Sequence, residues 1–174
     1  MRTILFGFVV LVALVVGDLT AQSGDNGLDQ IRAFVPISDN LATSGQSTVE
    51  QIEDIKAAGF DVILNLATAR RDQNGEEAFA VAEAGLTYVY IPVVWQNPTL
   101  EDLDMFYSVM RANEGRKVFV HCIANMRASA FTYLYRTQEL DIDPAEAQKA
   151  MDAVWDPNSQ DQWAAFMQRA LERR

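Results

Sequence analysis

Short apolar runs alternate with amphipathic stretches along most of the chain. Ala33–Ile37 and Leu41–Ser44 read as strands joined by a turn at Ser38-Asp39-Asn40. Ser47-Thr48-Val49-Glu50 has capping-box spacing and predicts a helix with Val49, Ile52 and Ile55 on one face, ended by Gly59. Val62–Leu66 is a continuous apolar strand. Glu76–Ala84 is helical up to Gly85, and Thr87–Ile91 alternates as a strand up to Pro92. Thr99-Leu100-Glu101-Asp102 starts a helix whose stripe is Leu100, Leu103, Phe106/Tyr107 and Met110, closed by Gly115. Lys117–His121 is a short strand. Further helices are predicted from Arg127 to about Leu140, after the cap Asp143-Pro144, and from about Ser159 to Leu171, with Trp163, Phe166, Met167 and Ala170 inward.

This alternation predicts an α/β fold, a central, mainly parallel sheet flanked by helices. Ligands of such sheets bind beyond the carboxyl ends of the strands. Cys122 stands at such an end.

The first 21 residues read as something other than fold. Arg2 precedes an apolar run from Ile4 to Gly17, followed by the more polar segment that contains Leu19-Thr20-Ala21-Gln22. That run is short for a membrane helix and right for a signal peptide. Cleavage is expected after Ala21, giving a secreted or periplasmic protein without stable membrane insertion. Residues 22–29 read as a polar linker and 30–174 as one domain.

Composition narrows the function. An apolar fraction of 49 % supports a real core and argues against disorder. The net charge of −10 repels nucleic acid and anionic lipid, so neither is an expected partner. The same charge repels a phosphorylated substrate, so a phosphate site must make its own positive potential. One cysteine in an exported chain can form no internal disulfide and calls for a chemical explanation. With one Cys and one His, no Cys/His metal cluster is expected.

The segment Val118-Phe-Val-His121-Cys122-Ile-Ala-Asn-Met-Arg127 predicts a buried strand, a loop and a helix. Amides of Ile123, Ala124, Asn125 and Met126 belong to the loop and first turn, where N–H groups lack partners and the helix dipole favours an anion. A thiol there loses its proton readily. Arg127 adds a fixed fork of donors for two phosphate oxygens. One loop thus supplies nucleophile, cradle and charge clamp.

This segment resembles the signature of cysteine-dependent protein tyrosine and dual-specificity phosphatases: His-Cys, a loop ending in Arg, then Ser or Thr. Leu41-Ala-Thr-Ser-Gly-Gln46, Asn65-Leu66 and Ile91-Pro92-Val93 resemble a bacterial branch close to the domain fused to some beta-lactamase-like hydrolases. The resemblance covers residues 30–140. It implies a tyrosine-phosphatase-like fold of dual-specificity size and hydrolysis of a phosphotyrosine or a small aryl or lipid phosphate. The route would be a phosphocysteine on Cys122, with no metal or cofactor. It implies that His121 bonds around the loop and that Ser129 stabilises the leaving thiolate, although a helix serine also bonds to its own backbone.

Two departures stand out. The family loop has five residues between Cys and Arg; here there are four, Ile123 to Met126. It lacks glycine, and Asn125 is the loop residue that best tolerates positive φ. The family's acid is an aspartate upstream, yet Ile91–Thr99 holds no carboxylate. Asp102 is the candidate acid, with Glu101 and Asp72 behind it, and its plain role is helix capping. Trp95 is the expected pocket wall. Tyr88 and Tyr90 read as core, and Arg70 and Arg71 as a solvated loop rather than a second anion contact.

Two other functions fit. A rhodanese-like sulfurtransferase would carry a persulfide on Cys122 in a loop of this shorter length. A phosphate-binding module would use the same cradle without turnover.

Overall fold

A computed structural model describes residues 27–173. The expected leader and most of the expected linker lie outside the described residues. Leu28–Gln30 form a turn of 3-10 helix, and Leu28 packs on the core beside the buried Ile31.

Among the described residues five short strands form one sheet: β1 (Val35–Ser38), β2 (Leu41–Ser44), β3 (Val62–Asn65), β4 (Thr87–Tyr90) and β5 (Val118–His121). Their order is β1-β2-β5-β3-β4. Only β1 is antiparallel, to β2; the other pairs are parallel. Pro36, which has no N–H for a ladder, sits on this edge strand beside an irregularity in register. The central β5 is buried throughout, as its unbroken apolar run requires between two covered faces.

Among the described residues there are seven α-helices: α1 (Gln51–Ala57), α2 (Arg71–Asn74), α3 (Glu77–Glu83), α4 (Leu100–Ala112), α5 (Met126–Gln138), α6 (Pro144–Asp152) and α7 (Asp161–Leu171). The alternation of side chains along β5 divides the core in two. Val118, Val120 and Cys122 join the larger apolar cluster, with Phe106 of α4, Phe131 of α5 and Trp163 and Phe166 of α7. Phe119 faces the opposite cluster, with Ile52 and Ile55 of α1 and Val81 of α3.

The expected fold stands, with local corrections. The capping pair of α1 is Thr48 and Gln51, one residue later than expected. Thr48 Oγ1 accepts from Gln51 N at 3.3 Å and Gln51 Oε1 from Thr48 N at 3.0 Å. Ser47 is instead drawn inward and buried. Helix α2 has no apolar period and went unforeseen; Asn74 Oδ1 closes it by accepting from Arg70 N at 2.7 Å. Helix α5 is nearly all buried, so it carries no one-sided stripe. Its Ser129 and Thr137 hydroxyls donate to the helix's own carbonyls, which satisfies them in an apolar setting.

Candidate active site

Registers align the carboxyl ends of three adjacent strands. Ser44 of β2 and Asn65 of β3 both pair with His121 of β5. The next residues are Gly45, Leu66 and Cys122, so three chains leave the sheet side by side. Cys122 N–H donates to Ser44 O at 3.2 Å, and Gln46 N–H to Ile123 O at 3.2 Å. Gly45 bridges to Ala124 between them. A Cβ on Gly45 would lie 2.9 Å from Arg32 O and 3.1 Å from Ile123 O, so the Ser-Gly-Gln segment needs its glycine for close approach.

The loop turns on Asn125, with φ of 65°. Its side-chain amide donates to Ala33 O at 2.7 Å and Thr43 Oγ1 at 3.1 Å, which ties the turn to β2. Ser129 N–H to Asn125 O, at 2.8 Å, is the first backbone bond of α5 back to the loop. The amides of Met126, Arg127 and Ala128 precede that ladder, as first-turn amides do.

Arg127 is turned inward and is 7 % exposed. Its Nη1 donates to Val93 O at 2.9 Å and Leu66 O at 3.4 Å, the chain ends beyond β4 and β3. Its Nε is buried without a partner. The guanidinium carbon sits 5.9 Å from the Trp95 ring centroid. Trp95 packs on Trp163 and Trp155 at 5.1 and 5.4 Å, and Trp163 Nε1 donates to Trp95 O at 3.1 Å. The wall expected from Trp95 is thus part of a three-tryptophan cluster.

Cys122 is 1 % exposed and belongs to the larger apolar cluster. The sulfur is covered, while the guanidinium beside its loop faces inward. Ser129 Oγ donates to Met126 O at 3.0 Å and accepts from Trp155 Nε1 at 3.1 Å. Its plain backbone-bonding role is the one this geometry displays. Asp102 is occupied in a reciprocal cap, accepting from Thr99 N at 3.3 Å while Thr99 Oγ1 accepts from Asp102 N at 3.1 Å.

Behind the loop lies a polar group that the sequence reading missed. Glu77, 4 % exposed, lies 3.0 Å from His121 Nε2 through Oε1. Its carboxylate also accepts from Gln46 Nε2 at 2.6 Å, Asn65 Nδ2 at 2.6 Å and the Tyr88 hydroxyl at 2.9 Å. Burial pushes this carboxyl up, but His121, Tyr88 and Gln46 together outweigh it and hold the carboxyl below its usual value. Burial and the Glu77 charge push the Tyr88 phenol well up, so it stays a donor. A signal existed: Glu77 and Val81 of α3 and its C-cap Ala84 fall at i, i+4 and i+7, all buried. Among the described residues no group of His, Cys, Asp and Glu is arranged to hold a metal ion.

A mostly parallel sheet with helices on both faces, and a cysteine and an arginine framing the loop after its central strand, defines the dual-specificity class of phosphatase folds. The family described as a DSP-PTPase phosphatase fused to NAD+ kinase matches residues 28–168, and the chain belongs to it. The crystal structure of a candidate phosphatase of the DUF442 group from Shewanella putrefaciens CN-32 is similar at TM-score 0.74 and 37 % identity, covering 83 % of this chain and 92 % of that one. A beta-lactamase hydrolase-like protein of Xylella fastidiosa is 32 % identical over 99 residues, which are 55 % of this chain and 23 % of that protein. The chain thus spans about a quarter of the length of that curated relative. The fold also matches P. aeruginosa TpbA, crystallised as a cysteine-to-serine form with phosphotyrosine, at TM-score 0.64 and 13 % identity, over 84 % of this chain and 86 % of that one.

Proposed function

We propose that the chain is a phosphomonoester hydrolase that works through a phosphocysteine on Cys122. One observation carries this reading: a buried guanidinium, Arg127, is drawn to the strand ends beside the cysteine loop, with a partnerless Nε. A buried cation with unspent donors fits a group built to meet an anion. In the first step the Cys122 thiolate attacks phosphorus and the bond to the leaving oxygen breaks. Loop amides and Arg127 carry the charge on the equatorial oxygens. In the second step water attacks phosphorus, the S–P bond breaks and the thiolate returns as inorganic phosphate leaves.

The loop Ile91–Thr99 brings no carboxylate, and Asp102 is engaged with Thr99. Aryl phosphates, whose leaving groups need little protonation, are therefore the fitting substrate class, phosphotyrosine among them. The apolar run after Arg2 supports export to the periplasm with removal of residues 1–21.

The test is hydrolysis of p-nitrophenyl phosphate by the full chain, with a mass search for phosphorylated Cys122 in quenched mixtures. Turnover that vanishes in Cys122→Ser is the expected result. Sulfur transfer from thiosulfate to cyanide without phosphate release would instead establish the sulfurtransferase reading. Recovery of a chain beginning at Gln22 from periplasmic extract checks export.

A further inference from the structure

A cleft of about 560 Å3 lies against the edge strand β4. Ala69, Arg70, Arg71, Glu76, Tyr88 and Tyr90 are among the residues that line it. It is joined to the Arg127 site by two short pieces of chain. Leu66 and Val93, whose carbonyls hold Arg127, are each three residues from a cleft residue, Ala69 and Tyr90. Three residues span at most about 11 Å. Burial pushes the Tyr90 phenol up, and a bond from the Ala69 backbone and the charge of Arg127 act against it, so Tyr90 and Arg127 are within electrostatic reach.

We propose that this cleft receives a second anionic group of the substrate, next to the scissile phosphate, and that Arg70 and Arg71 bind it over a tyrosine floor. The proposal rests on the phosphatase reading above and narrows its substrate class to doubly anionic phosphates. Arg71 has no ion pair among the described residues. Arg70 meets only the exposed Asp72, at 3.3 Å, a contact that an incoming anion displaces at little cost. Glu76 is the one acidic side chain lining the cleft, against two guanidiniums. With Asp72 paired to Arg70, the cleft is near neutral rather than acidic in a chain of net charge −10.

The floor is built. Tyr88 is fixed by Glu77 and Asn65, and the Tyr90 ring stacks on it with centroids 6.4 Å apart and planes 13° apart. A flat aromatic surface in a cleft that two guanidiniums also line suits an aryl substrate. The rim is built as well. A Cβ on Gly75 would lie 2.7 Å from Arg71 O, so glycine lets this turn close on the residue that bears the free cation.

The experiment compares kcat/KM for a phosphotyrosine peptide flanked by glutamates with the same peptide flanked by glutamines. A benzene ring bearing two phosphates and the same ring bearing one form a second pair. Wild type should prefer the doubly anionic member of at least one pair, and the pair concerned tells peptide from small aryl phosphate. In Arg70→Gln/Arg71→Gln that preference should fall about fivefold or more toward unity, an effect of two exposed charges that added salt also weakens. No preference in wild type, or a preference untouched by the double variant, overturns the cleft assignment while p-nitrophenyl phosphate is still hydrolysed. Absence of hydrolysis of every phosphate by wild type overturns the phosphatase reading and this inference with it.

Discussion

Glu77 Oε1 lies 3.0 Å from His121 Nε2, one residue before Cys122 and on the opposite face of β5 from Val118, Val120 and the thiol. The carboxylate gathers donors from three further places: Gln46 after β2, Asn65 at the end of β3 and Tyr88 in β4. It therefore ties together the strand ends from which the cysteine loop departs. Replacing it by alanine leaves these buried donors unpaired. Glu77→Ala should lose about 3–5 kcal/mol of stability in urea unfolding. Glu77→Gln keeps the shape and should lose less.

The same carboxyl sets an acid limit. Its folded pKa lies below the usual glutamate value of about 4.3. The unfolded chain therefore takes up this proton first as pH falls. The stabilisation is present above the unfolded value and is lost as pH drops through the folded one. The urea midpoint should fall as the solution is acidified below about pH 4. The corresponding slope should be shallower in Glu77→Gln.

Gly45 has backbone on two sides. Gly45→Ala forces its Cβ toward Arg32 O and Ile123 O, at 2.9 and 3.1 Å before relaxation. A loss of about 1–3 kcal/mol is expected from the strain. Because Ile123 belongs to the cysteine loop, turnover of p-nitrophenyl phosphate should fall in the same variant. Melting curves beside rate measurements check both.

Arg127 holds two carbonyls and keeps a donor spare. Lysine brings a point charge without the planar fork. Arg127→Lys should lower kcat on the order of a hundredfold, the usual scale for removing a charge-stabilising donor. Steady-state kinetics at fixed salt measures it.

The framework was legible because apolar period and turn chemistry agreed along the chain. Val118–His121 read as a buried strand and proved to be the centre of the sheet. Asn125 was singled out for positive φ and adopts it. What escaped was long-range. Glu77 looks like any first-turn acid until the stripe it shares with Val81 and Ala84 is weighed. Trp155, which donates to Met126 O and Ser129 Oγ at the start of α5, stands 26 residues from its nearer partner in sequence terms. The cap read at Ser47 belongs to Thr48, since either hydroxyl suits the spacing; burial of Ser47 decides it.

All three tryptophans of the chain, Trp95, Trp155 and Trp163, stand within 5.6 Å of one another by ring centroid, and the Arg127 guanidinium lies over the first. Every photon of indole emission thus originates at the mouth of one helix. An anion settling on that guanidinium changes the field at a neighbouring ring, so the unlabelled protein carries its own optical gauge of occupancy.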